Sequence, residues 1–166
     1  NIMHKDSSYS EVFLTKNVIV SDSSSGIYNQ TVGKGIGQWQ ITNNTISNNA
    51  SLDAQEGYGI SGFTLTIPST ISIQIKNTID WGNQKNAINF SASGGPITIT
   101  ASYSDIDVVT SASGVTYTPG TGMINMNPLF VNPAAIDFHL TSSSPCINTG
   151  IDVGLPYVST APEMGT

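Results

Sequence analysis

Residues Ile71 to Asn83 read ISIQIKNTIDWGN, and their alternation decides the fold. Ile71, Ile73 and Ile75 point one way, with Ser72, Gln74 and Lys76 between them. That is the pattern of a half-buried β-strand. After Lys76-Asn77 the alternation resumes in another phase through Thr78, Ile79, Asp80 and Trp81, then stops at Gly82-Asn83. No hairpin signal separates the two halves. A strand, a one-residue polar corner at Asn77 and a second short strand thus follow one another without reversing the chain.

The theme recurs. VFLTKNVIVSD (12–22) bends at Asn17, ITNNTISNN (41–49) at Asn44 and ITITASYSDID (97–107) at Ser102. Gly26-Ile27 and Gly59-Ile60 open short strands between these statements. The four corners are spaced by 27, 33 and 25 residues. Irregular repeats of this size mark a solenoid whose coils carry loops of variable length, each coil burying its apolar edge only by stacking on the next. The predicted fold is all-β, a right-handed parallel β-helix. Its coils span 1–122, and 123–166 form a C-terminal cap of the same domain that shields the apolar cross-section and open strand edges. Asparagine suits the corners because it tolerates left-handed backbone and hydrogen-bonds locally. Gly33, Gly35 and Gly37 lack any surrounding βαβ pattern and read as a turn between coils.

Composition narrows the function classes. Charged residues make up 10% of the 166, against about 25% in average proteins. Net charge is −6, with five lysines and no arginine, so no basic stripe exists for nucleic acid. No apolar run reaches the length of a membrane span. The lone Cys146 excludes an internal disulfide and reads as a small buried hydrophobe. A chain opening on Asn1 without a signal peptide is expected to be processed or part of something longer.

The run from Ile73 through NTIDWGN to YSDID (103–107) resembles bacterial right-handed parallel β-helix proteins of the pectate-lyase-like superfamily. NPLFV (127–131), DFHL (137–140) and SPCINTG (144–150) look like the closing segment of such proteins, and APEMG (161–165) like their terminal motif. The resemblance implies an extracellular or cell-surface setting and a polysaccharide or a neighbouring surface protein as partner. Members range from polyuronate lyases to surface proteins without catalysis. In the lyases Ca2+ neutralises a uronate carboxylate while a Lys or Arg takes the adjacent proton.

On that resemblance the candidate Ca2+ ligands are Asp80, Asp105 and Asp107. Asp80 and Asp105 each lie three residues past a corner, which places them one above the other; a solvated polar edge is the competing reading. Lys76 and Lys85 share the coil of Asp80, Lys34 lies in a loop, and none is marked as a base by its surroundings. His139 alternates with Phe138 and Leu140 and is expected to face solvent. Trp39, Trp81 and Tyr103, at coil edges, are the candidates for stacking on a sugar ring, although core packing competes. The Thr64/Thr66 and Thr98/Thr100 pairs suggest flat hydroxyl faces but do not recur in every coil. No catalytic residue is assigned. The segment reads as a structural or glycan-binding, adhesin-like β-helix; the alternative is the C-terminal part of a polysaccharide lyase acting on acidic polymers.

Overall fold

Each coil is set by three strands and the corner between the second and third. The computed structural model describes residues 2–4, 9–20, 23–31, 35–53, 56–65 and 68–165. The first coil holds β1 (Ile2–His4), β2 (Tyr9–Thr15) and β3 (Val18–Val20). The second holds β4 (Ile27–Thr31), β5 (Gly35–Thr42) and β6 (Thr45–Ser47). The third holds β7 (Ile60–Thr64), β8 (Ser69–Lys76) and β9 (Ile79–Trp81), and the fourth β10 (Ile88–Ala92), β11 (Ile97–Ser102) and β12 (Asp105–Ile106). A last partial coil adds β13 (Val109–Ser111) and β14 (Val115–Pro119).

Like strands stack in parallel. The first sheet runs β1-β4-β7-β10-β13, the second β2-β5-β8-β11-β14 and the third β3-β6-β9-β12. The chain is a right-handed parallel β-helix, the hand that parallel crossovers take. The strand alternation read from Ile71, Ile73 and Ile75 is real: all three are buried in the lumen. They extend the rows Val12–Trp39–Ile73–Ile99–Tyr117 and Leu14–Ile41–Ile75–Ala101. The first sheet contributes Ile27–Ile60–Ile88–Val109, so the two Gly-Ile openings do stack. Burying one such isoleucine contributes roughly 1.5–3 kcal/mol.

The corner is two residues in each of the four full coils, not one: Lys16-Asn17, Asn43-Asn44, Asn77-Thr78 and Tyr103-Ser104. Its first residue is left-handed throughout, with φ of 54°, 52°, 47° and 48°. The second residues stack, as strand register requires, so the ladder is Asn17–Asn44–Thr78–Ser104 and its spacings are 27, 34 and 26. Asn77 and Ser102 are therefore corrected as ladder positions. Asn77 occupies the left-handed place that asparagine suits, while the ladder needs only a side-chain oxygen, which Thr and Ser also supply.

That oxygen does two things. Asn44 Oδ1 accepts from the Asn17 N–H at 3.0 Å, Thr78 Oγ1 from the Asn44 N–H at 3.4 Å, and Ser104 Oγ from the Thr78 N–H at 3.1 Å. Each ladder side chain also donates to the carbonyl two residues before it, at 2.9–3.2 Å from Asn17 to Ser104. Neighbouring coils are thereby locked where the chain turns most sharply.

After β14, Ile124 adds one parallel bridge to Asp105. β15 (Phe130–Asn132) and β16 (Asp137–Leu140) then form an antiparallel hairpin around the 3-10 turn Pro133–Ala135. Phe130 and Phe138 meet edge to face at 5.1 Å within it. Of the segment expected to close an end, residues 123–126 lie on β12, the end strand of the third sheet, and the rest turns along that sheet's outer side. Cys146 and Met164 bury Ile79 on the outer face of the third sheet, helped by Trp81, Ile124, Phe130 and Leu140. Asn77 fastens the tail, donating to the Ile151 carbonyl at 2.7 Å and accepting from the Ile151 N–H at 2.9 Å. Its own carbonyl accepts from the Gly165 N–H at 2.8 Å. Met123 packs against the main core.

Asn44→Ala removes the acceptor of the Asn17 N–H and two donations, to the Leu14 carbonyl at 2.8 Å and to Thr42. Leaving such partly buried groups unpaired costs about 1–3 kcal/mol. The expected result is a stability lowered by that amount, read as a lower urea midpoint with an unchanged slope. A wild-type midpoint would show that the ladder holds nothing.

Candidate functional site

A one-residue error in register sends a side chain to the opposite face of a sheet, and the acids show it. The true ladder pairs Asp105 with Ile79, and Ile106 with Asp80. Asp80 thus points into the lumen, in the row Ile19–Ile46–Asp80–Ile106, and Asp105 points outward beneath the tail. The expectation that they stand one above the other is corrected: the corner of the fourth coil lies two residues later than Ser102, that of the third only one later than Asn77.

Asp80 is fully buried. Its Oδ1 accepts from Asn83 Nδ2 at 2.7 Å, and its Oδ2 has no hydrogen-bond partner among the described residues. Room for the carboxyl exists because residue 59 is glycine: a Cβ there would lie 1.8 Å from Oδ1. Burial pushes the Asp80 acid well above the usual carboxylate range; the Asn83 bond opposes this and the nearby Asp107 charge adds to it. Asp105 accepts from the Met126 N–H at 3.1 Å and from the Cys146 thiol at 3.2 Å. Burial raises it too, against the pull of those two bonds. Asp107 is half-buried and holds its neighbours through its backbone, its carbonyl accepting from Asn125 Nδ2 at 2.8 Å. The three carboxyls occupy the lumen, the covered flank and the rim. Such a set does not fit Ca2+, which needs several oxygens converging on one point. Among the described residues no three His, Cys, Asp or Glu side chains converge in that way.

The aromatic candidates also separate. Trp39 is 2% exposed in the lumen row with Ile73, so its placement on an accessible edge is corrected. Trp81 is half-buried in the flank cluster under the tail. Tyr103 is half-buried at its corner, its ring against Gly122, where a Cβ would clash at 2.5 Å. Lys85 lies over the Tyr58 ring, 5.0 Å from its centre. His139 faces solvent, its Nδ1 2.7 Å from Asp137. Lys34 and Thr66 fall outside the described residues, and Thr64 is buried with its hydroxyl donating to the Gly95 carbonyl at 3.0 Å.

What is accessible and ordered is the outer face of the second sheet. Register aligns Glu11–Gln38–Ser72–Thr98–Thr116 in one row and Phe13–Gln40–Gln74–Thr100–Thr118 in the next. At the head of this face Tyr9, Phe13 and Ile36 are 57%, 60% and 52% exposed. Across β5, β8, β11 and β14, Lys76 is the one charged residue on it among the described residues. Thr98 and Thr100 donate to the carbonyls of Ile71 and Ile73, both at 3.4 Å, which fixes their hydroxyls and leaves oxygen lone pairs facing out. The sequence held these residues in plain view, but only the inter-coil register assembles them.

A concavity of about 230 Å³ lies between the tail and the corner, walled by Lys16, Asn43, Tyr157 and Glu163 among others. It falls below the roughly 300–1,000 Å³ of ordinary ligand pockets. Lys16 Nζ already donates to the Pro156 carbonyl there, at 3.4 Å. Among the described residues no helix is long and apolar enough to cross a membrane. Comparison with protein-family models, curated proteins and solved structures gives no match.

Asp80 predicts a pH dependence. With its folded-state pKa raised, the contribution of this group is fully present below the ordinary carboxylate pKa of about 4 and lost as pH climbs toward the folded value. Asp80→Asn, neutral throughout, should therefore gain on the wild type between pH 4 and pH 7, read as urea midpoints. A difference independent of pH would refute titration of Asp80.

Burial and the Asp105 charge push the Cys146 thiol up, keeping it protonated and unreactive. Native protein should resist a thiol reagent that labels the unfolded chain at once. Asn77→Gly keeps the left-handed corner but frees the tail, so labelling should speed up several-fold; an unchanged rate would mean that Asn77 is no latch.

Proposed function

We propose that this chain is a structural, glycan-binding β-helix belonging to an extracellular or cell-surface protein, akin to the bacterial pectate-lyase-like superfamily. The observation that carries the reading is the outer face of the second sheet: backed by buried isoleucines, rich in amides and hydroxyls, and headed by exposed Tyr9 and Phe13. Hydroxyls and amides exchange hydrogen bonds with sugar hydroxyls, and an aromatic ring offers its face to the C–H side of a pyranose. The surroundings of Asp80 and Asp105 favour binding over proton abstraction: one carboxyl is sealed in the lumen, and the other is held by Met126 and Cys146.

Kinship with the superfamily is supported by the stacked coils and the two-residue corner. The extracellular setting is supported by the low charge and the Ser-, Thr- and Asn-rich surface.

A glycan array probed with the folded chain tests the reading. Signal is expected on polysaccharide spots, with no unsaturated uronate released from polyuronates as followed by ultraviolet absorbance, and Tyr9→Ala should weaken it several-fold. An array blank on every glycan would sink the proposal.

A further inference from the structure

The glycan-binding face has a direction and a charge, and both bear on what it takes. Resting on the reading above, we infer that the second sheet binds a neutral polysaccharide laid across the strands, along the row Phe13–Gln40–Gln74–Thr100–Thr118.

Successive members of that row are one strand spacing apart, about 4.7–4.9 Å. A linear glycan running along the solenoid axis therefore meets one polar side chain per coil. The two glutamines donate and accept; Thr100, its proton committed to the Ile73 carbonyl, accepts. A polyol, which is donor and acceptor at every hydroxyl, matches this sequence of groups. Phe13, 60% exposed, stands at the head of the row as a platform for one ring.

Neutrality follows from the charges on the face. A uronate polymer would bring a carboxylate at each sugar, and among the described residues the face offers one cation, Lys76, at a margin, with Glu11 at the opposite one. Glu11 accepts from the Tyr9 hydroxyl at 2.7 Å, so its charge is held on the face. An anionic chain along the first row would meet Glu11 without compensation, and one along the Phe13 row would pass beside it. The glutamines impose no such penalty on an uncharged one. Thr98, Thr100, Thr116 and Thr118 form a square array, but Gln38, Gln40 and Gln74 interrupt its continuation, so the face presents no continuous threonine lattice.

Affinity gel electrophoresis separates the outcomes. Wild type, Phe13→Ala and the double variant Gln40→Ala/Gln74→Ala are run in gels containing galactomannan, mixed-linkage glucan, pectate or alginate. All three substituted side chains are exposed, and urea midpoints confirm folding. Expected is retardation by a neutral polymer only, unaffected by added salt, with affinity reduced about tenfold in each variant. Retardation by pectate or alginate alone would overturn the neutral assignment and leave glycan binding standing. Neutral retardation at wild-type strength in both variants would overturn the row and likewise leave glycan binding standing. Equal mobility in every gel would overturn both, and sedimentation would then show whether Tyr9, Phe13 and Ile36 instead join two copies of the chain.

Discussion

The structure depends on a hydrogen bond made over and over: a side-chain oxygen at the second corner residue accepts the backbone N–H of the preceding coil's corner. A chain that turns sharply without reversing leaves N–H groups directed away from any strand partner, and burying them unpaired would destabilise every coil. The left-handed residue before each ladder position makes the turn; the ladder oxygen repairs it. With the corners locked in register, every residue of the flanking strands is assigned to lumen or surface. The isoleucine rows, the flank under the tail and the exposed amide rows all follow from that assignment.

The same constraint explains the least comfortable group in the molecule. Register places Asp80 in a row otherwise formed by isoleucines. The coil accommodates it with Asn83 as donor and with glycine at 59, while burial raises its pKa and favours the protonated acid. Ile79, turned outward by the same alternation, is an apolar side chain on the wrong side of the sheet. The C-terminal tail resolves that by covering it with Cys146 and Met164. One strand of three residues, Ile79–Trp81, thus requires both an adapted lumen and an external cover.

Much of the fold was legible because stacking uses local pattern. Ile71, Ile73 and Ile75 declare their strand, and Asn17 and Asn44 are true ladder members. The third and fourth corners were harder, because Thr78 and Ser104 do chemically what asparagine does while Asn77 and Tyr103 take the left-handed place. That offset misplaced Asp80 relative to Asp105. Trp39 defeats inspection for another reason: an indole beside glutamines looks like an edge residue until Val12 and Ile73 are seen to flank it in the lumen. The exposed rows are invisible in one dimension, since Phe13, Gln40, Gln74 and Thr100 come from four different coils.

The constancy of the corner contrasts with the connection from the third sheet back to the first. That connection spans residues 48–59 between β6 and β7 but only 82–87 between β9 and β10. Where the longer one crosses its neighbour, it is anchored by the Ser51 N–H on Gln84 and by Asn49 on Asn83. Such a chain accommodates added length at that junction, whereas one extra residue at an inner corner would turn over the side chains of the strand that follows. The junction at 48–59 is also where an engineer would graft a foreign loop.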